Sequence, residues 1–223
     1  MTETLPGVSF LLPLQFDLCA TFIGATTGAW AASRRGYDIV GVCVIAFVSS
    51  AGGGLLRDSI FLMQIPVVMQ HAEYLWTILA GVAAGTLSHR YAERFTNLFD
   101  YTDALSLGVY GIYGANRALI AGLSPEGAIL VGACNAVGGG LLRDILTREE
   151  PLLFKPRHLY TLTALAGITV FVVLSYRYGI DTHQAAWIGV FITVALRLAA
   201  IRFDWKTHEV RNWFRRKRGP EKP

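Results

Sequence analysis

The heptapeptide Gly-Gly-Gly-Leu-Leu-Arg-Asp occurs twice, at residues 52–58 and 138–144, each time near the end of a long apolar stretch. The register shift that superimposes the copies also aligns Asp17 with Asp103, Gly28 with Gly114, Ala29 with Ala115, Gly36 with Gly122 and Gly41 with Gly127. The chain therefore contains an internal repeat. Its most alike parts are a helix breaker and a charge pair set in hydrophobic sequence. In a bilayer both are costly, because freed backbone groups and charges need partners. Two such copies point to a polar pathway between two halves of a transport protein.

Composition fixes the class. Of 223 residues, 53% are hydrophobic and 16% charged, against about 25% charged in a soluble domain. The charges cluster between apolar runs and in the tail, as in a polytopic membrane protein. The net charge of +4 does not indicate nucleic acid. Its basic residues gather after the last apolar run, at Arg202, Lys206, Arg211, Arg215, Arg216, Lys217 and Arg218. A cytoplasmic tail against anionic lipid explains them. Cys19, Cys43 and Cys134 lie in apolar runs without close spacing and read as small buried hydrophobes. The five histidines are scattered and form no helical metal pair. There is no P-loop, dinucleotide fingerprint, zinc-protease signature or nucleophile elbow. No enzyme, metal or cofactor is expected.

A bilayer core of about 30 Å takes roughly 20 apolar residues per helix. Seven stretches qualify: 12–32, 39–63, 74–87, 101–121, 128–146, 159–176 and 185–201. The expected fold is an all-α integral membrane protein of seven transmembrane helices. The N-terminus carries Glu3 and no Lys or Arg, a poor signal peptide, so the first run is expected to stay as a span. The order is an N-terminal extension (1–11), a three-helix repeat (12–95), a second repeat (96–180), a seventh helix (181–203) and a basic tail (204–223). Three spans per repeat force the halves into opposite orientations, an inverted-topology repeat. Arg34, Arg35, Arg90, Arg94, Arg148, Lys155, Arg157 and the tail all fall on one side if the N-terminus is outside, which makes that side cytoplasmic.

The glycine triplets have two readings. Three glycines, each about 1 kcal/mol less favourable in a helix than Ala, should unwind it and free carbonyls for a cation or amides for an anion. On that reading Gly52, Gly53, Gly54, Gly138, Gly139 and Gly140 line the pathway, with Ser49 and the aligned Asn135 beside them. Alternatively the glycines are close-packing points where helices cross. Adjacent helical residues point about 100° apart, so Arg57 and Asp58 are not expected to neutralise each other. The topology brings Asp17 and Arg57 into one half of the bilayer, and Asp103 and Arg143 into the other. Asp17–Arg57 and Asp103–Arg143 are the expected ion pairs, leaving Asp58 and Asp144 for other helices or a permeating cation. Arg117 lies in the fourth span where Ala31 occupies the aligned place; it either lines the path or snorkels to the outer surface.

The doubled heptapeptide, the aligned Asp17 and Asp103 and the seven-span layout resemble the bacterial relatives of trimeric intracellular cation channels, a family also described as glycine transporters. The resemblance covers about residues 12–201. It implies a homotrimer in the bacterial inner membrane with a pathway inside each protomer. It further implies kinked second and fifth spans at the glycine triplets, and permeation of a potassium-type monovalent cation. It also implies a basic residue near the pore in the fourth span, which here is Arg117. A channel needs a continuous wet path of weak sites, whereas a glycine carrier needs a closed pocket for an ammonium and a carboxylate. A membrane assembly subunit is the third reading.

Overall fold

The computed structural model describes residues 12–94, 98–154 and 159–205. The N-terminal extension, Lys155, Arg157 and the basic tail from Lys206 onward lie outside the described residues, as do the side chains of Arg90 and Arg94. The described chain is helical: α1 (Leu14–Arg34), α2 (Ile39–Leu56), α3 (Val67–Gln70), α4 (Glu73–Arg94), α5 (Leu98–Ile120), α6 (Pro125–Leu146), α7 (Tyr160–Val172) and α8 (Thr182–Arg202). Short π-helical turns extend α2 over Arg57–Phe61 and α7 over Val173–Arg177.

The helix boundaries repeat at the 86-residue offset that separates Gly52 from Gly138. Gly36 and Gly122 take positive φ, +72° and +85°, conformations in which a Cβ is strained. In each turn the glycine N–H and the next N–H bond back to helix carbonyls: Gly36 to Ser33 and Tyr37 to Ala32, Gly122 to Leu119 and Leu123 to Ala118. This is the Schellman pattern, which satisfies the last carbonyls of a helix. The next helices start on equivalent caps. Asp38 accepts from the Gly41 N–H at 2.8 Å and Ser124 from the Gly127 N–H at 3.1 Å, each filling one orphan donor.

Helix α1 packs on α2 and α4, and α5 packs on α6 and α7. The two groups meet where α2 crosses α6 and α1 lies along α5; α8 packs on α7 and α5. Arg35, at the end of α1, bonds Glu149 beyond α6, and Arg117, near the end of α5, bonds Gln64 beyond α2. The C-terminal ends of α1 and α6 thus share one end of the bundle, and those of α5 and α2 share an end as well. Polarity is turned inward. Arg57, Arg143 and Arg197 are 1–2% exposed, while Leu75, Trp76, Trp187 and Phe191 are 58–72% exposed. Such a surface suits lipid, where charge belongs in the bundle interior.

Among the described residues, four helices are long and apolar enough to cross a membrane: Ile39–Phe61, Pro125–Leu146, Tyr160–Arg177 and Thr182–Arg202. The sequence reading has seven. Helices α1 and α5 carry buried Asp17, Thr21, Asp103 and Asn116, which lower their mean hydropathy because they face other helices.

Gly81 and Gly85, four residues apart on α4, are close-packing points within the chain. A Cβ on Gly81 or Gly85 would stand 2.6 Å from the Ala25 or Ala29 methyl, so α4 lies unusually close on α1. Gly85→Ala should destabilise the protein by about 1–3 kcal/mol, the usual cost of overpacking. Thermal unfolding in detergent reads it, and an unchanged midpoint would refute the close approach.

Candidate functional site

The glycine triplets do not break their helices. Both α2 and α6 run helical through them, which corrects the expectation of unwound backbone and freed carbonyls. The reason is tertiary: the triplets are where α2 and α6 cross. A Cβ on Gly53 would land on the Asn135 carbonyl oxygen, and one on Gly139 on the Ser49 carbonyl oxygen. A Cβ on Gly138 would lie 3.1 Å from the Gly53 Cα. Glycine lets the two backbones touch, and the helical hydrogen bonds outweigh its weak propensity. The third glycines, Gly54 and Gly140, have room for a Cβ in ordinary contact, at 3.7 Å from Arg57 Nη2 and 3.4 Å from the Tyr160 hydroxyl.

On either side of this crossing lies a small cavity of about 10 Å³, room for roughly one water-sized body. Asp17, Thr21, Ser50, Gly54, Arg57, Asp58 and Tyr74 line the first; Thr27, Ser49, Asp103, Ser106, Gly140, Arg143 and Tyr160 line the second. Asp17, Gly54, Arg57 and Tyr74 recur in the second as Asp103, Gly140, Arg143 and Tyr160, all at the 86-residue offset. Tyr110 lines both cavities, and its hydroxyl donates to the Ser50 carbonyl at 2.6 Å. Asn135 braces it from behind, donating from Nδ2 to the Tyr110 carbonyl at 2.6 Å.

The charges pair differently from the expectation. Arg57 forks onto its own neighbour, with Nε donating to Asp58 Oδ1 at 2.6 Å and Nη2 to Oδ2 at 2.8 Å. Arg143 likewise donates from Nε to Asp144 Oδ1 at 2.9 Å. Adjacent residues therefore neutralise each other in both copies. The long arginine stem spans the 100° step, and a bare buried charge costs more than the bent rotamer. Asp103 stands 3.4 Å from Arg143. No ion pair joins Asp17 to Arg57 among the described residues; Asp17 instead accepts from the Tyr74 hydroxyl at 2.5 Å.

Asp58 and Asp144 are not free for a cation, which corrects that expectation too. The second oxygen of each accepts a backbone N–H from the chain that folds back over the helix end, Val67 at 3.0 Å and Leu152 at 3.1 Å. Their carbonyls accept Gln64 and Glu149 N–H groups, both at 2.8 Å. Here the offset is 85, and Pro66 and Pro151 match at the same shift. The first copy holds one extra residue, absorbed in the π-turn at Arg57–Phe61, since a π-turn accommodates a single insertion. Both folded-back loops are held from the other repeat: Arg117 bonds Gln64 at 3.2 Å and Arg35 bonds Glu149 at 3.1 Å. Arg117 is thus a loop anchor near the end of α5.

Sequence reading missed Tyr74, Tyr160, Tyr110 and Arg197. The first two were available, because they align at the offset of the heptapeptide. Arg197 was visible as a lone charge in the last apolar run; it is 2% exposed and its Cζ lies 4.8 Å from the Tyr160 ring centre. Arg57 and Arg143 stack similarly on Tyr113 and Phe99, at 5.2 and 4.8 Å. Such contacts help offset guanidinium burial.

The model of the family described as Glycine transporter matches twice, over residues 14–90 and 100–176, again 86 residues apart. A UPF0126 membrane protein of Vibrio cholerae is 34% identical over 84% of this chain and 78% of its own length. One from Deinococcus radiodurans is 30% identical over 87% of this chain and 90% of its own. Among solved structures, a TRIC trimeric intracellular cation channel orthologue from Rhodobacter sphaeroides superimposes with a TM-score of 0.77. It is 30% identical and covers 85% of this chain and 97% of its own. A second structure, described in terms of conductance through TRIC cation channels, has a TM-score of 0.73 at 29% identity, covering 87% of this chain and 95% of its own.

Two outcomes follow from the crossing and the charge pairs. Gly53→Ala and Gly139→Ala should each destabilise by about 1–3 kcal/mol, the cost of overpacking. Gly54→Ala should be neutral or stabilising by up to about 1 kcal/mol through helix propensity; melting curves that rank these the other way would refute the crossing. Removing Asp58 alone should cost about 3–5 kcal/mol, because Arg57 is stranded. In a double-mutant cycle on stability, Arg57 should couple more strongly to Asp58 than to Asp17.

Proposed function

The chain belongs to the family described as Glycine transporter, and from its likeness to the TRIC cation-channel structures we propose that it is a membrane channel for a potassium-type monovalent cation. The observation that carries this reading is the pair of polar cavities stacked about one glycine-built crossing inside a single protomer. A permeating ion would pass from one to the other beside Tyr110, the one side chain among the described residues that lines both cavities. Each cavity is lined by hydroxyls and a carboxylate, which replace part of an ion's hydration shell. In this structure the crossing is shut, so conduction requires Tyr110 to release the Ser50 carbonyl or α2 and α6 to part.

Seven spans, with the halves inverted, are the topology we propose around this path. Support comes from the paired helix ends, Arg35 with Glu149 and Arg117 with Gln64. Those contacts put α1 and α6 in one direction and α2 and α5 in the other. With the N-terminus outside, the Asp17 cavity lies in the outer half and the Asp103 cavity in the inner half, in a bacterial inner membrane. The Rhodobacter sphaeroides neighbour is described as a trimeric channel, which supports a homotrimer here.

The family description favours a second reading, a glycine carrier. Liposomes containing the pure protein separate the two. Valinomycin-independent potassium flux, lowered at least tenfold by bulk at the crossing in Gly139→Val, is expected. Concentrative uptake of labelled glycine without potassium flux would replace the channel by the carrier.

A further inference from the structure

The two cavities are built from equivalent residues, yet the buried polar atoms left without partners are not equivalent. In the first cavity Asp17 is engaged by Tyr74, and the atom without a hydrogen bond is a donor, Arg57 Nη1. In the second, Arg143 Nη2 is likewise a donor without a hydrogen bond; what is added is an acceptor, for Asp103, 4% exposed and within reach of the Tyr160 hydroxyl, has an Oδ2 that accepts no hydrogen bond. Arg143 does not fully answer it. Its Nε and Nη2 both lie 2.9 Å from Asp144 Oδ1, and only Nη1 reaches Asp103, at 3.4 Å. One guanidinium therefore faces two carboxylates. Arg197 lies against the Tyr160 ring, in electrostatic reach of Asp100 as well as Asp103.

The rest of the second cavity is oxygen. Thr27, Ser49, Ser106, Tyr110 and Tyr160 bring hydroxyls to it. Thr27 and Ser106 donate their protons to the Gly24 and Asp103 carbonyls, at 3.0 and 2.9 Å. Their lone pairs are left as acceptors. At the 86-residue offset Ser49 corresponds to Asn135 and Ser106 to Ala20, so the first cavity lacks these two hydroxyls; its own come from Thr21, Ser50, Tyr74 and Tyr110. A bare potassium ion is close to a water molecule in size, and the cavity of about 10 Å³ holds one such body.

We propose that the Asp103 cavity is a resident binding site for one dehydrated alkali cation, held by Asp103 Oδ2 and the oxygens of Ser49, Ser106 and Thr27, and that the Asp17 cavity is not. The repeat supplies two cavities, and divergence has made one of them a cation site. Calling the ion a permeant rests on the channel reading; the site itself does not. While the crossing is shut, a cation site on one side of it fills and empties through that side.

The test is potassium-dependent stability of the detergent-solubilised full chain, with N-methylglucamine chloride holding ionic strength constant. Potassium should raise the unfolding midpoint with saturation, and methylammonium at equal concentration should not. Asp103→Asn should abolish the potassium response, and Asp17→Asn should retain it. Ser49→Ala and Ser106→Ala keep the test decisive if Asp103→Asn does not fold; each should raise the half-saturating potassium concentration about tenfold by removing one ligand. A response unchanged in Asp103→Asn or in both serine variants overturns the site. So does a response lost equally in Asp17→Asn, or one given only by methylammonium. Potassium stabilisation without liposome flux would sink the channel reading and leave the site standing; flux without any potassium stabilisation would do the reverse.

Discussion

The contact of α2 with α6 is the constraint around which this molecule is arranged. Two helices touch backbone to backbone only where no side chain stands between them. Gly53 lies over the Asn135 carbonyl and Gly139 over the Ser49 carbonyl. That reciprocal seating joins the two halves of the chain. It also separates the two polar cavities, because backbone in contact leaves no space between them. Of the two ways in which the path we propose can open, the parting of α2 and α6 is the one that this contact resists.

The buried charges are held by the same economy in each half. A guanidinium in a helix bundle needs a carboxylate, and the nearest is the next residue. Once Arg57 and Arg143 turn onto Asp58 and Asp144, each carboxylate still has capacity on its second oxygen, and the chain beyond the helix folds back to supply an N–H. The Arg-Asp dipeptide is thus a helix-end clasp, and this accounts for its doubling as well as a direct role with ions would. Asp17, and Asp103 apart from its 3.4 Å contact with Arg143, are left to face the cavities. Their surroundings differ because the repeats have diverged nearby, most visibly in the one-residue insertion absorbed by the π-turn after α2 and in the addition of α8 with Arg197.

Much of this was legible in one dimension. The repeat, its offset, the helical and membrane class, the turns at Gly36 and Gly122 and the importance of the triplets all follow from residue identity and spacing. A duplicated sequence in similar surroundings must build duplicated local structure. The Asp103–Arg143 approach was also reachable, from the parity of the spans. The loops after Asp58 and Asp144 were harder to match, since the insertion shifts Pro66 and Pro151 out of the common register.

What the sequence could not decide was which neighbour each group would choose. Helix propensity argued for a break at three consecutive glycines; packing against a second glycine helix kept them helical. Ideal helix geometry argued against pairing of adjacent Arg and Asp; burial overruled it. Asp17 went to Tyr74 and not to Arg57 because α4 delivers a hydroxyl at closer range. Propensity and periodicity are properties of a segment, fixed by its own residues. Partner choice is a competition among groups brought together from distant segments, and only the assembled fold sets those distances.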